Sequence, residues 1–314
     1  MPSWQARIAS FYLRNFIKRR PLNNETANVQ YLRDKLTTPP FLRKLLASGT
    51  TNIRQVEESG IRGEWVINTS QPLNVVYYLH GGGYIACSPA THRPFTAALS
   101  HAAQAKVFAL DYRLAPEHRF PAAVEDALAG YRWLLQQGVE PQSIVIGGDS
   151  AGGGLTMATL VALRDEKLPL PRAAFCLSPW TDLAVTGNSL TTNDDDDPMF
   201  FGDSIRQAAP IYLGQTAANH SLASPLYADL TGLPPLLLYV SDTEVLLDDS
   251  VRLAERARAH GVSVDLRVWE DLPHVWPIFI GLRLPEAREA LIEIAQFIRF
   301  SAQAQPTQAA RASA

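Results

Sequence analysis

Cysteine is scarce in this sequence: the 314 residues contain two, Cys87 and Cys176. Two so widely spaced make no disulfide framework, and no CxxC or clustered Cys/His spacing suggests a metal site. Both are expected to be small buried residues. Long apolar runs are missing too. No stretch of about 18 apolar residues occurs, which excludes a transmembrane helix of ordinary length. Within the first twenty residues, Arg7, Arg14 and the Lys18-Arg19-Arg20 cluster interrupt any apolar core, so no standard export signal is expected. The expectation is a cytoplasmic protein without stable membrane insertion. No internal repeat is visible, and nothing resembles a nucleic-acid-binding motif, so no nucleic-acid partner is expected.

What is present is ordinary for a globular chain: 46% hydrophobic and 19% charged residues. The length accommodates one large α/β core with a modest accessory region. The net charge of −3 hides an asymmetry. Residues 1–50 carry nine Lys/Arg against two Asp/Glu, and the remainder carries 19 against 29. A basic amphipathic start suits a membrane surface or an acidic partner, but a helix with a solvated face is the preferred reading.

From about residue 64, strands and helices alternate. Strands are predicted at 74–79 (NVVYYL), 106–110, 143–146, 172–177, 236–240 and 264–269. Helices are predicted at 124–137, 151–167, 249–260 and 285–300, the last with Pro at its start. Apolar strands separated by helices imply a mostly parallel sheet covered on both faces, with its site in loops beyond the carboxyl ends of the strands. Two segments break the alternation: residues 1–60, which look helical, and about 181–232. They are expected to form a helical cap over a catalytic domain at 61–300. The acidic run 194–197 in the second segment is read as a solvated loop rather than a cation site. Residues 301–314, rich in Ala, Gln and Ser, are expected to be a disordered tail.

Two motifs carry chemistry. Gly148-Asp149-Ser150-Ala151-Gly152 fits G-x-S-x-G, with a strand before it and a helix after it. That setting is the sharp turn that presents a nucleophilic serine at a helix N-terminus, where N–H groups and the helix dipole favour an oxyanion. The N–H of Ala151 is one expected donor. His80-Gly81-Gly82-Gly83-Tyr84 follows the 74–79 strand, and its glycines let backbone N–H groups converge on one spot. It reads as the loop supplying the other oxyanion donors. His80 precedes the serine, so with Gly81 it is expected to support this loop rather than act as base. The order serine, acid, histidine directs attention downstream. Of His220, His260 and His274, only His274 follows the last strand in a loop, and it is chosen as base. Asp242, Glu244, Asp248 and Asp249 all lie near the end of the 236–240 strand, and position alone does not choose the acid.

With these motifs the chain resembles the hormone-sensitive-lipase family of bacterial esterases, the family IV carboxylesterases, of the α/β-hydrolase superfamily. HGGGY at 80–84, DYRLAPEHRFP at 111–121 and GDSAGG at 148–153 occur in the family's order, and the likeness covers about residues 60–300. It implies an α/β-hydrolase fold with a helical cap, no cofactor, and an oxyanion hole of Gly82, Gly83 and Ala151. The family's usual acid is Asp in a D-P-L-x-D-E-like segment. The similar segment at 244–249 places Glu244 there, with Asp242 the alternative and Asp248 a cap for the next helix. His274-Val275-Trp276 matches the histidine context. Asp111, Arg113 and Glu117 are implied to form a buried supporting network. The expected activity is hydrolysis of short-to-medium acyl esters of small molecules through Ser150, His274 and Glu244 and an acyl-enzyme. Lactone, amide or carbamate hydrolysis is the alternative. A non-catalytic small-molecule receptor is disfavoured because serine, acid and histidine are all present. Tyr84 is a candidate for the acyl pocket, and it, Trp180, Phe200, Phe201 and Tyr212 suit either pocket or core. A homodimer is expected by analogy with the family.

Overall fold

The computed structural model describes residues 1–22, 24–36, 51–70 and 72–300. Eight strands form one sheet: β1 (Asn52–Glu58), β2 (Ile61–Ile67), β3 (Asn74–Leu79), β4 (Ala105–Leu110), β5 (Ile144–Asp149), β6 (Ala173–Leu177), β7 (Leu236–Ser241) and β8 (Val264–Trp269). Their order is β1-β2-β4-β3-β5-β6-β7-β8, antiparallel from β1 through β4 and parallel from there on.

Pleating explains the apolar runs. All six residues of β3 are buried, because successive side chains enter cores on opposite faces. Tyr77 and Leu79 join one cluster and Val76 and Tyr78 the other. On the first face lie α4 (Ala122–Gln136), α5 (Ala151–Asp165) and α8 (Leu247–Ala259). On the second lie α3 (Pro89–Ala103) and α9 (Pro285–Phe300).

Residues 1–60 are not wholly helical, as the sequence suggested. α1 (Trp4–Tyr12) and α2 (Glu25–Leu36) are helices, but 52–58 is the edge strand β1. Only Val56 of β1 is buried, so it carries no apolar run. Its hairpin with β2 turns at Ser59 and Gly60, both with positive φ, as a tight twisted turn requires. The exposed face of α1 is largely apolar: Ala6 and Ala9 face inward, while Trp4, Ile8 and Phe11 are exposed beside Arg7. The segment 181–232 holds α6 (Ser189–Thr192) and α7 (Gly202–Leu213) between β6 and β7. The expected tail at 301–314 lies outside the described residues. Among the described residues no helix is long and apolar enough to cross a membrane.

Candidate active site

β5 delivers Ser150. The residue sits at φ 52°, ψ −122°, just before α5, in a backbone region that costs on the order of 1–3 kcal/mol. Surrounding hydrogen bonds hold it there. Its N–H donates to the Leu177 carbonyl at 2.8 Å, and its own carbonyl accepts the N–H of Trp180 at 3.0 Å and of Gly153 at 2.9 Å. The turn packs so tightly that a Cβ on Gly152 would lie 2.0 Å from the Leu79 carbonyl oxygen.

The loop after β3 faces this turn. Gly82 adopts φ +117°, and a Cβ there would meet the Ala86 carbonyl oxygen at 2.2 Å. Its carbonyl accepts the N–H groups of Ile85 and Ala86. Among the described residues, the N–H groups of Gly82, Gly83 and Ala151 have no internal acceptor. His80 is buried beneath the loop, its Nδ1 2.8 Å from the Gly81 carbonyl and its ring stacked on Tyr112 at 4.3 Å. Burial, reinforced by His92, pushes its imidazole down to about 3, so it is neutral at ordinary pH.

His274 follows β8, and Glu244 follows β7. Both side chains are buried, with Nδ1 of His274 2.5 Å from Oε2 of Glu244. Oε1 of Glu244 accepts the N–H of Ser241 at 2.7 Å and the hydroxyl of Ser178 at 2.8 Å. Nε2 of His274 makes no hydrogen bond among the described residues, and the residue shares a cavity of about 310 Å³ with Ser150, Gly82 and Gly83. Burial depresses the basicity of His274, but the carboxylate of Glu244, with Asp197 and Asp149 behind it, leaves its pKa above the ordinary histidine value.

The rival acids go elsewhere. Asp242 is exposed and accepts the N–H of Asp271 at 2.8 Å. Oδ2 of Asp249 is buried on the N–H groups of Thr181 and Asp182, at 2.6 and 2.8 Å. Asp248 does not cap its own helix, because α8 begins one residue before it. Its carboxylate accepts the N–H of Asn188 at 2.6 Å and of Ser189 at 3.1 Å, at the start of α6. Of the other histidines, exposed His220 lies against Phe120, and His260 pairs with Asp229 at 2.8 Å.

Several expectations are corrected. Tyr84 does not line the cavity: it is buried behind it, stacked on Tyr212 at 3.8 Å. Trp180 and Phe200 do line it. Cys87 is half-buried on the cavity wall, while Cys176 is buried as expected. Asp111, Arg113 and Glu117 form no common buried network. They pair separately with Arg62 at 4.0 Å, Asp126 at 2.8 Å and Arg33 at 2.7 Å, at half-exposed or exposed positions. Beyond β4 the chain crosses the surface, and only Tyr112 and Ala115 turn inward. The run 194–197 is not simply solvated, since Asp197 is fully buried.

Sequence reasoning missed Asp149, His92 and Ser178. Buried Asp149 accepts the hydroxyl of Tyr78 at 2.5 Å and the N–H of Gly81 at 3.0 Å, and lies 3.3 Å from Nε2 of His92. It therefore ties the glycine loop to the serine turn. Its position beside Ser150 in the motif was the available signal. Ser178 bridges acid and base, donating to Glu244 and accepting the N–H of Val275 at 3.1 Å. Among the described residues no cluster of three or more His, Cys, Asp or Glu is arranged to hold a metal ion.

The chain matches the family described as alpha/beta hydrolase fold over residues 76–278. It is 47% identical over 236 residues to an acetyl-hydrolase of Streptomyces hygroscopicus, covering 75% of this chain and 79% of that protein. It is 34% identical over 249 residues to an esterase of Acinetobacter venetianus, covering 79% of this chain and 82% of that one. Among solved structures it is similar to an esterase from the bacterial hormone-sensitive lipase family, with TM-score 0.79 and 44% identity over 88% of this chain and 97% of that one. It is also similar to an esterase/lipase from an uncultured bacterium, with TM-score 0.86 and 41% identity over 96% of this chain and 99% of that one.

Proposed function

The chain belongs to the hormone-sensitive-lipase family of α/β-hydrolases and is a carboxylic ester hydrolase, and on that premise we propose that Ser150, His274 and Glu244 perform the hydrolysis. The observation that carries the reading is the buried Glu244–His274 pair, whose free Nε2 shares one cavity with Ser150. His274 Nε2 takes the proton of Ser150 as Oγ attacks the ester carbonyl. Glu244 orients the ring through Nδ1 and stabilises the imidazolium. The N–H groups of Gly82, Gly83 and Ala151 receive the charge that develops on the carbonyl oxygen. The imidazolium protonates the departing alcohol, and water, deprotonated by His274, then releases the acid from Ser150.

Short-to-medium acyl esters are the proposed substrates. Leu32, Met199, Phe200 and Phe279 make the cavity wall apolar, and its volume is modest. The name acetyl-hydrolase, carried by a relative, supports the same class. α2 and the 181–232 segment are read as the cap, because Leu32 and Phe200 come from them; α1 instead packs its Ala6 and Ala9 on the second face of the sheet. Free thiols at Cys87 and Cys176 suit a reducing compartment, hence a cytoplasmic location. The outer edge of β8 ends the sheet, and a homodimer formed along it is the proposed assembly.

The test is a rate series on p-nitrophenyl esters of rising acyl length, with a matched lactone and an anilide. Short esters are expected to turn over fastest, and Ser150→Ala is expected to abolish turnover while unfolding like the parent. Substantial hydrolysis by the folded variant would remove Ser150 from its role.

A further inference from the structure

The four consecutive Asp residues at 194–197 have every backbone carbonyl held by a cation from the N-terminal segment. Lys18 Nζ donates to the carbonyls of Asp194 and Asp197, at 2.6 and 2.7 Å. The Arg14 guanidinium donates to those of Asp195 and Asp196, at 2.5 and 2.7 Å. The Asp197 side chain is fully buried, and it ends between two groups that border the candidate base.

Oδ2 of Asp197 accepts the N–H of Val245, the residue after Glu244, at 2.9 Å. Oδ1 accepts the N–H groups of Met199 and Phe200, at 2.7 and 3.0 Å. The Phe200 ring meets the His274 ring edge-on, with centroids 5.3 Å apart. Asn193, from the same loop, donates to the carbonyls of Asp242 and Glu244 at 2.7 and 2.9 Å. One carboxylate thus fixes both the loop that carries the acid and the ring that flanks the base.

Burying a carboxylate is costly unless its surroundings use its charge. Burial raises the Asp197 pKa above the ordinary range, and the neighbouring imidazole of His274 pulls it back. In return, Asp197 is one of three carboxylates that raise His274, after Glu244 from the loop beyond β7 and with Asp149 at the end of β5. On the other side, Lys18 faces Asp197 with its positive charge.

Building on the Ser150–His274–Glu244 reading, we propose that Asp197 is a positioning residue for His274. It ties the Glu244 loop and the Phe200 ring to the imidazole, and its charge favours the imidazolium formed during acyl transfer. The cap therefore acts on the chemical step as well as on the substrate.

Asp197→Asn keeps the shape, removes the charge and turns one acceptor into a donor facing backbone N–H. With p-nitrophenyl butyrate, kcat is expected to fall about tenfold or more while KM stays nearly constant. The acid limb of kcat/KM is expected to move to lower pH, because the imidazolium loses a stabilising charge. A folded variant with the parent's acid limb would overturn the proposal, whatever its kcat. The parent enzyme is labelled in parallel with a fluorophosphonate. Hydrolysis without labelling at Ser150 would instead overturn the triad reading, and this proposal with it. Should Asp197→Asn fail to fold, Lys18→Met at a half-buried surface position takes its place. It removes the two hydrogen bonds to the Asp194 and Asp197 carbonyls and a cation that faces Asp197, so kcat is expected to fall roughly threefold or more and the acid limb to move to higher pH, because that positive charge no longer opposes the imidazolium. Parent values of both would overturn the proposal.

Discussion

Replacing Glu244 by Gln separates the two carboxylates at the end of β7 by a change of one atom. Oε1 already accepts the N–H of Ser241 and the hydroxyl of Ser178, so the amide oxygen stays at that position. The new NH2 then faces Nδ1 of His274, 2.5 Å away in the parent. Two donors cannot share that contact, so Nδ1 becomes an acceptor and the ring proton moves to Nε2. That tautomer cannot accept the proton of Ser150. The corresponding carboxylate-to-amide change in a Ser-His-Asp triad costs about 10⁴ in kcat, or about 5.5 kcal/mol of transition-state stabilisation. Asp242→Asn removes a charge from an exposed residue whose hydrogen bond from the Asp271 N–H an amide oxygen can retain. Its effect is expected within roughly twofold. Steady-state kcat/KM on a short p-nitrophenyl ester ranks the two variants. A larger loss in Asp242→Asn, or more than a tenth of parental activity in Glu244→Gln, would refute the reasoning.

Gly82→Ala places a methyl group 2.2 Å from the Ala86 carbonyl oxygen, at φ +117°, which displaces an oxyanion donor. A kcat loss on the order of 10²–10³ is expected, and a parental rate for the folded variant would argue against the N–H of Gly82 as a donor. Asp249→Asn tests a pH dependence of stability. Burial, against the N–H of Thr181, pushes the Asp249 carboxyl up to about 7. Both of its backbone donors go to Oδ2, leaving Oδ1 for a proton. The unfolded chain releases that proton near pH ~3.9. Between these values the native state binds more protons, so this group's contribution declines as pH rises through the window, by on the order of 4 kcal/mol. Urea unfolding at pH 4.5 and 7.5 is expected to show a shallower decline in the variant. Equal declines would mean that Asp249 is ionised in the native protein.

The central sheet was legible in the sequence because burial on both faces writes a strand as an uninterrupted apolar run. The run NVVYYL coincides with β3, Asn74–Leu79, for that reason. The edge strand β1 was not legible, since NIRQVEE buries one residue and derives its order from pairing with β2. At the site, the glycine loop and serine turn were readable because close backbone approach demands glycine there. Among the four acidic residues only the family resemblance points to Glu244, because position does not separate them while burial and partners do: Glu244 faces His274, Asp242 faces solvent and Asp249 binds the backbone beyond Trp180. The sequence presents Asp197 with its neighbours as one charged loop, but side chains of consecutive residues in an irregular segment point in different directions, and that of Asp197 points inward. Tyr84 suits pocket or core by sequence alone, and its ring is buried in the core against Tyr212.

The cavity wall has a consequence for how such a protein diversifies. Leu32 lies on α2, and Ile205 and Ala208 lie on α7. None belongs to the sheet that holds Ser150, nor to the loops that carry Glu244 and the glycines. The wall can therefore accumulate exchanges of size and shape while the reacting groups keep their mutual geometry. Acyl preference can thus change at these positions, whereas an exchange at Phe200, whose ring flanks His274, reaches the chemistry as well.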